Sequence, residues 1–169
     1  MCGIVDTFQD ESLLYIVMEY LPGGELLRHI RKQMFMSQQD TRFYLAEIVL
    51  AVESLHKVGV IYRDLKPENI LLDSLGHVKL IDFGFAKVLK NIYKDRAYTN
   101  CGTPGYCAPE VMLPSMGHTY KADIWSLGIL ICEMLGGFTP FENKNDAANP
   151  IHILEKCRTG KLNLPKNLN

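Results

Sequence analysis

Three short strings, in fixed order along the chain, hold the residue types that could do chemistry. They are YRDLKPEN at 62–69, DFG at 82–84 and APE at 108–110. Asp64 supplies a carboxylate, and Lys66 places a cation two residues away. Asn69 adds an amide and Asp82 a second carboxylate. Such a set suits a reaction in which negative charge spreads over transferred oxygens.

Each string also has an ordinary structural interpretation. Aspartates cap turns, Lys66 and Pro67 could form a simple turn, and Asp82 could merely end a strand. Any one string alone is weak. Their fixed order, with a strand-like segment before them and an apolar helix after them, favours the chemical interpretation of the set.

On these strings, residues 13–169 resemble the protein kinase family. Tyr62 in place of the usual histidine, and GFAK at 84–87, are similar to the basophilic AGC group. The resemblance implies an α+β, protein-kinase-like fold that is mainly the helical large lobe. Residues 1–21 would be the end of the small lobe and the hinge, and 22–169 a truncated large lobe. ATP and Mg²⁺ would be the cofactors, and serine or threonine in proteins the acceptors.

The resemblance assigns a role to each candidate catalytic residue. Asp64 would accept the substrate hydroxyl proton, Lys66 would contact the transferring phosphoryl group, and Asn69 and Asp82 would hold Mg²⁺. At the adenine end, the resemblance implies that Met18 is the gatekeeper residue and that Leu71 packs beneath the ring. Glu19 and Leu21 would supply backbone hydrogen bonds to the base.

The same resemblance implies a phosphorylation switch at Thr99, set by an upstream activating kinase. Arg63 and Lys87 would bind the phosphate through charge-assisted hydrogen bonds. Thr103 would hydrogen-bond to Asp64 and Lys66 and shape the acceptor site. The alternative interpretation is that Thr99 is a solvated loop residue.

Three glutamates predict the kind of protein substrate. Glu25, Glu68 and Glu133 align with carboxylates that pair with arginines upstream of the phosphoacceptor in cyclic-nucleotide-dependent kinases. Targets with Arg or Lys before Ser or Thr are therefore expected. Glutamates on helices are more often solvated surface residues. The stretch 116–130 looks closer to the cGMP-dependent than to the cAMP-dependent branch.

The sequence also departs from the kinase pattern. The glycine-rich loop, the β3 lysine and its partner glutamate are absent, and the arginine expected to pair with Glu110 would lie beyond Asn169. Gly105 and Cys107 replace the residue types common at those positions. One alternative is thus an inactive truncated kinase that binds substrates or a regulator. A different nucleotide binder is disfavoured because no GxxxxGK[ST] or GxGxxG string occurs.

Composition excludes several other classes of protein. A net charge of −1 and a pI near 6.5 give no footprint for nucleic acid. The five cysteines lack paired CxxC spacing, so a reducing, cytoplasmic setting is expected. The longest apolar stretch, 124–132, is too short and too polar to span a membrane.

Hydrophobic periodicity predicts the elements that position these residues. We expect a buried strand at 13–20, helices at 25–33 and from Ser37 to near Gly59, and strands at 70–72 and 78–81. The lack of periodicity in residues 82–114 predicts a long loop. The apolar residues at 123–135 predict a helix that is buried on nearly all sides. A polar linker at 143–149 and a surface helix at 151–158 follow.

Overall fold

The computed structural model describes residues 1–113, 115–141 and 150–165. The predicted polar linker at 143–149 lies outside these residues. In chain order the elements are β1 Ile4–Gln9, β2 Leu14–Met18, β3 Gly24–Glu25, α1 Leu26–Gln33, α2 Gln38–Lys57, β4 Val60–Ile61, a 3₁₀ helix Pro67–Asn69, β5 Ile70–Leu72, β6 Val78–Leu80, β7 Lys87–Val88, α3 Pro109–Met112, α4 Lys121–Gly136 and α5 Pro150–Thr159.

The strands form small antiparallel sheets. β1 pairs with β2, β5 lies between β3 and β6, and β4 pairs with β7. In the β3-β5-β6 sheet, Leu71 lies opposite both Glu25 and Lys79. The structure is thus mixed helix and sheet, as expected for the kinase-like fold.

The β1-β2 sheet corrects one prediction. A strand was expected at 13–20, and β2 confirms it, but its burial was predicted wrongly because every residue of β1 and β2 is exposed. Ile4 is 66% and Leu14 70% exposed. Within the part of the chain that the structure describes, the two strands form a sheet only with each other. The apolar composition of residues 13–20 therefore predicted the strand but not the exposure of its side chains.

Helix α2 begins and ends where its sequence predicts. The Ser37 hydroxyl accepts a hydrogen bond from the Asp40 backbone N–H at 3.0 Å and donates one to the Asp40 carboxylate at 2.7 Å. This satisfies one of the free N–H groups of the first turn. At the other end, Gly59 has φ +79°. A left-handed residue there turns the chain away from the helix and into β4.

The main core lies where α2 packs on α4 and on the β5-β6 hairpin. Ile48 and Val52 of α2 meet Leu127 and Leu130 of α4 in one buried cluster. Burial of each such side chain stabilises the fold by about 1.5–3 kcal/mol. Helix α4 is less enclosed than predicted, since Ile124 is 52% exposed. Its end is set by Gly137, which has φ +73°.

Residues 82–113 form the expected long loop, with two short elements inside it. Strand β7 pairs Lys87 with Ile61 and Val88 with Val60, which ties the loop to the segment before the YRDLKPEN string. Helix α3 is a single turn that begins within the APE string. No helix among the described residues is both long and apolar enough to cross a membrane.

Candidate active site

A buried carboxylate from α4 fixes the backbone of the YRDLKPEN string. Asp123 has no exposed surface. Its Oδ2 accepts hydrogen bonds from the Tyr62 backbone N–H at 2.9 Å and from His56 Nε2 at 2.7 Å, and its Oδ1 accepts one from the Arg63 N–H at 2.8 Å. Two backbone donors that would otherwise be buried without partners are thereby satisfied.

This anchoring holds Arg63 in an unusual backbone conformation. Arg63 has φ +71°, in the left-handed region that non-glycine residues rarely occupy. The long loop of residues 82–113 passes very close at this point, because a Cβ on Gly102 would lie 2.6 Å from the Arg63 carbonyl oxygen. Gly102 itself has φ +82°. Glycine is therefore required there both by backbone conformation and by space.

Asp64 lies at the centre of a compact polar cluster. Its Oδ1 accepts a hydrogen bond from the Thr103 hydroxyl at 2.9 Å, and its Oδ2 accepts one from Asn69 Nδ2 at 2.8 Å. Lys66 Nζ lies 3.0 Å from Asp64 Oδ2 and donates to Thr103 Oγ at 2.7 Å. Asp64 is only 4% exposed. Its carboxylate is held in place by several charge-assisted bonds.

The cluster joins three parts of the chain that are far apart in sequence. Asp64 and Lys66 precede the 3₁₀ helix, Asn69 ends it, and Thr103 comes from the long loop. The Asn69 amide also donates to the Asp64 backbone carbonyl at 2.9 Å. Both bonds use Nδ2, so neither of them occupies the amide oxygen of Asn69.

Among the described residues, no hydrogen bond joins Asp82 to this cluster. Asp82 is exposed and has φ +54°, and its Oδ1 accepts a hydrogen bond from the Gly84 backbone N–H at 3.0 Å. Nearby, the Tyr62 hydroxyl donates to the Ile81 carbonyl. Burial, and then the charges of Asp64 and Asp82, raise the pKa of Tyr62 well above its usual range. Tyr62 therefore stays a neutral donor that fixes the backbone just before Asp82.

Asn69 and Asp82 fit Mg²⁺ by the chemistry of their donors. An amide oxygen and a carboxylate are hard oxygen ligands, and Mg²⁺ is commonly held by one or two such groups together with substrate phosphates. Within the described ranges, no group of three or more His, Cys, Asp or Glu side chains is arranged to hold a metal ion. A site of this kind would be completed by a phosphorylated ligand.

Of the residues predicted for the adenine end, Leu21 lies in the segment that contacts β5, and Leu71 lies within β5. Leu21 is buried, and the Gly23 backbone N–H donates to the Leu72 carbonyl at 3.0 Å, which places the segment after β2 against β5. Leu71 is partly buried in that strand. Met18 ends β2 and is 49% exposed.

Glu19 links the N-terminal strands to β6. Its carboxylate accepts hydrogen bonds from the Gly3 N–H at 2.8 Å and from Lys79 Nζ at 3.1 Å. Its backbone N–H donates to the Gly3 carbonyl at 3.1 Å. The Gly3 bond and Lys79 together lower the pKa of Glu19, so the carboxylate is charged at neutral pH.

The predicted phosphorylation site is exposed. No hydrogen bond joins Thr99 to Arg63 or Lys87 among the described residues, and Lys87 is itself exposed. Arg63 is buried, and its Nε donates to the Phe85 carbonyl at 2.6 Å. Thr99 comes two residues after an isolated antiparallel bridge between Ala97 and His118, which ties this part of the long loop to the segment before α4.

The three predicted substrate carboxylates have different surroundings. Glu25 is exposed in β3. Glu133 is buried in α4 and accepts a hydrogen bond from the Tyr106 hydroxyl. Glu68 is partly buried, and none of the described residues donates a hydrogen bond to its Oε2. The structure does not join the three by any hydrogen bond between described residues.

Two residues of the site were missed from the sequence. Asp123 lies in an apolar run, and a lone carboxylate in such a run is a signal that it serves a specific buried partner. His118 is 1% exposed and its Nε2 lies 3.3 Å from Arg63 Nη1. Nothing in the spacing of His118 indicated this contact, because the two residues are 55 positions apart.

Comparison with known proteins gives a consistent family. A family model described as protein kinase domain matches residues 1–168. The human cAMP-dependent protein kinase catalytic subunit PRKX is 52% identical over 162 residues, which are 96% of this chain and 43% of that protein. The human putative serine/threonine-protein kinase PRKY is 52% identical over 162 residues, again 96% of this chain, and 55% of that protein.

A more distant organism gives a similar result. The cAMP-dependent protein kinase catalytic subunit of Dictyostelium discoideum is 49% identical over 163 residues, which are 96% of this chain and 24% of that protein. The chain therefore spans about a quarter to just over half of the length of these curated relatives.

Proposed function

This chain belongs to the protein kinase family and is of the AGC type, and we propose that its function is the ATP-dependent phosphorylation of serine or threonine in proteins. The observation that carries the proposal is the cluster of Asp64, Lys66, Thr103 and Asn69. It places a carboxylate, a cation and a hydroxyl within single hydrogen bonds of one another.

Each residue of the cluster has a chemical task. When bound, ATP with Mg²⁺ would supply the γ-phosphoryl group and offset its charge. Asp64 would orient the acceptor hydroxyl and take its proton. Lys66 would place positive charge beside the transferring oxygens. Thr103 would keep Asp64 and Lys66 in register through its two hydrogen bonds, while Asn69 and Asp82 would hold the metal ion.

The preferred protein substrate would carry Arg or Lys upstream of the acceptor. Glu68 Oε2 is a buried carboxylate oxygen without a donor among the described residues. A buried carboxylate needs a cation or hydrogen-bond donor. Glu25, Glu68 and Glu133 would supply negative charge for such a substrate. The cAMP-dependent names of the relatives favour the cAMP over the cGMP branch, against the weaker indication from residues 116–130.

Phosphorylation of Thr99 would regulate this activity. An activating kinase would transfer the γ-phosphoryl group of ATP to the Thr99 hydroxyl oxygen, with release of ADP and of the hydroxyl proton. The exposure of Thr99 makes it accessible. Arg63 and Lys87 would then bind the phosphate. We place these events in a reducing, cytoplasmic setting, which suits five free thiols.

A phosphotransfer assay with matched aspartate variants tests the proposal. The chain would be incubated with Mg²⁺, ATP and a serine peptide with upstream arginines, beside Asp64→Asn and the exposed control Asp6→Asn. Loss of a positioned base lowers rates by about 10²–10⁴-fold, so only Asp64→Asn should lose transfer. Transfer that persists in Asp64→Asn contradicts the assignment. A peptide with alanine in place of arginine tests the basic preference.

A second candidate is a binding module that holds basic substrates or a regulator without phosphorylating them. The Glu68 Oε2 atom favours it, because a carboxylate oxygen that lacks a donor among the described residues can bind a cationic side chain whether or not phosphate is transferred. Peptide binding measured by calorimetry, together with no transfer by the unmodified chain, would support this candidate. Binding should then weaken in Glu68→Gln and persist in Asp64→Asn.

A further inference from the structure

One part of the surface has an excess of positive charge. It is formed by three segments, residues 53–61, 87–96 and 118–123, and we call it the basic surface. The segments contain six Lys or Arg residues against three Asp or Glu residues, whereas the whole chain contains 18 against 19. The chain is therefore close to neutral as a whole but strongly basic at this place.

Backbone pairing and ring contacts bring the three segments together. Strand β7 pairs with β4, which directly follows α2. The Leu89 backbone N–H also donates to the Gly59 carbonyl at 2.8 Å. The Tyr120 ring centroid lies 5.5 Å from that of His56 and 5.5 Å from that of Tyr93. The end of α2, the β7 region and the start of α4 thus form one continuous surface.

The lysines of the basic surface are exposed. The Lys57 side chain is 68% exposed, and its Nζ lies 3.1 Å from the Glu53 carboxylate. Four further exposed lysines form no ion pair between described residues. They are Lys87, Lys90, Lys94 and Lys121.

The acidic residues of the same segments leave this charge largely uncompensated. Asp123 is fully buried and accepts its hydrogen bonds in the interior. Asp95 accepts a hydrogen bond from the Asn91 backbone N–H at 2.8 Å. Among the described residues, only Glu53 pairs with a lysine of the basic surface. The remaining lysines are available to a negatively charged partner.

Exposed apolar side chains lie among these lysines. Val58 is 70%, Val88 71% and Tyr93 78% exposed. Each of the three is next to a lysine in the sequence. Tyrosine and aliphatic side chains enter the interfacial region of a bilayer while neighbouring lysines keep their charged ends among the headgroups.

The kind of cation indicates the kind of partner. Lysine is a flexible point charge and lacks the planar fork with which arginine binds a single carboxylate or phosphate. Lysines spread over three segments therefore suit a layer of negative charge better than one defined anion. Strands β4 and β7 have two residues each, so their edges offer few hydrogen bonds to an added peptide strand. An anionic bilayer needs neither a fork nor an edge.

We propose that the basic surface docks the chain on a bilayer that contains anionic lipid. The lysines lie among the headgroups, and Val58, Val88 and Tyr93 reach the boundary with the acyl chains. Clusters of about four to eight Lys or Arg residues are attracted to anionic lipid, over distances limited by the Debye length. The chain then lies on the membrane surface, and this binding does not depend on phosphoryl transfer.

Sedimentation with vesicles tests the proposal on the unmodified full chain. The vesicles would contain phosphatidylcholine alone or phosphatidylcholine mixed with phosphatidylserine, each at low and at high salt. We expect binding to the phosphatidylserine vesicles at low salt and a decline at high salt, because salt screens the attraction. Absence of that binding, or equal binding to phosphatidylcholine alone, would overturn the proposal.

Matched lysine variants test whether this surface carries the binding. Lys90→Ala combined with Lys94→Ala should bind phosphatidylserine vesicles roughly 25-fold more weakly, since each lysine near an anionic membrane contributes about fivefold. Lys90→Arg combined with Lys94→Arg keeps both charges and should bind like the unmodified chain. Lys32→Ala combined with Lys161→Ala removes the same charge from exposed residues outside the basic surface. Equal binding by the two alanine pairs would overturn the assignment of this surface.

Competition separates a bilayer from other anionic partners. A polyglutamate peptide or a single-stranded oligonucleotide would be added to the vesicle mixture at the same concentration of negative charge as the lipid. The chain should remain on the vesicles, because only the bilayer also accepts the exposed apolar side chains. Full release by the peptide would indicate an acidic protein partner, full release by the oligonucleotide a nucleic acid, and either would overturn the membrane proposal.

Discussion

The loop of residues 62–69, which we call the catalytic loop because the proposed base Asp64 lies in it, is held in place differently from the β1-β2 sheet. The loop around Asp64 is buried and is bonded to α2, α4 and the long loop through Asp123, Asn69 and Thr103. The β1-β2 sheet is exposed on every residue, and it joins the remainder of the chain through a few contacts such as Glu19 with Lys79. The polar cluster is thus formed without any residue of the β1-β2 sheet. The apolar side chains of β1 and β2 are left exposed by the other described residues.

The largest effect is expected from removal of the loop's anchor. In Asp123→Ala, the Tyr62 and Arg63 backbone donors lose their partner inside the core. Loss of one partner from a buried charged network costs about 3–5 kcal/mol of unfolding free energy. Urea denaturation measures it, and Asp6→Ala in the exposed sheet should stay within about 0.5 kcal/mol of the unmodified chain. Equal losses of unfolding free energy in Asp123→Ala and Asp6→Ala would contradict the proposed difference between the two regions.

A matched pair of leucines tests the contrast for apolar residues. Leu130 is fully buried and Leu14 is 70% exposed. Leu130→Ala should cost about 2–5 kcal/mol, because it removes a side chain and leaves a cavity. Leu14→Ala should change stability by less than about 0.5 kcal/mol. A large cost at Leu14 in the same denaturation experiment would mean that the sheet is covered in solution, for example by self-association, which sedimentation would detect.

A smaller effect is expected where the long loop meets the catalytic loop. Gly102→Ala would force a Cβ against the Arg63 carbonyl, which lies 2.6 Å from its position. Strain of this kind costs about 1–3 kcal/mol. Gly76→Ala is the control, because Gly76 also has positive φ, at +86°, but nothing lies within 4 Å of an added Cβ. Thermal denaturation should show a greater loss for Gly102→Ala; equal losses would show that close approach is unimportant.

The smallest effect concerns the hairpin turn between β1 and β2. Asp10 accepts hydrogen bonds from the Ser12 and Leu13 N–H groups and from the Tyr15 hydroxyl, and these lower its pKa from 3.8 to about 2. Its contribution is complete above pH 4 and is lost as the pH falls toward 2.

Amide hydrogen exchange at Leu13 measures this loss. Protection should decline as the pH falls from 4 toward 2, and Asp10→Asn should remove the dependence. An Asp10 carboxyl that titrates near 3.8, followed by carbon NMR, would contradict the turn.

The sequence predicted local features well and contacts between distant segments poorly. Helix α2 could be predicted because its periodicity, Ser37 cap and Gly59 stop are all local signals. The β4-β7 pair could not, because each strand has two residues and the pairing joins positions 60–61 and 87–88. Strand β1, at Ile4–Gln9, was missed because its alternation is imperfect. The burial of β2 was wrong because apolar composition does not say what covers a strand.

The candidate site divides in the same way. Asp64, Lys66, Asn69, Asp82 and Thr103 were found because they belong to short strings of characteristic spacing. Asp123 and His118 were missed because their roles depend on packing between residues 55–61 positions apart. Such contacts have no signature in a single sequence, beyond the presence of one polar side chain among apolar neighbours.

The separation between Asp123 and its backbone partners has a consequence for synthesis. Tyr62 is 61 residues before Asp123. At about 5–20 residues per second, a ribosome makes the catalytic loop several seconds before it makes the carboxylate that orders it. During that interval α2 can already form, whereas the strained backbone of Arg63 has no support. The loop of residues 62–69 therefore reaches its native backbone conformation only after Asp123 has been translated.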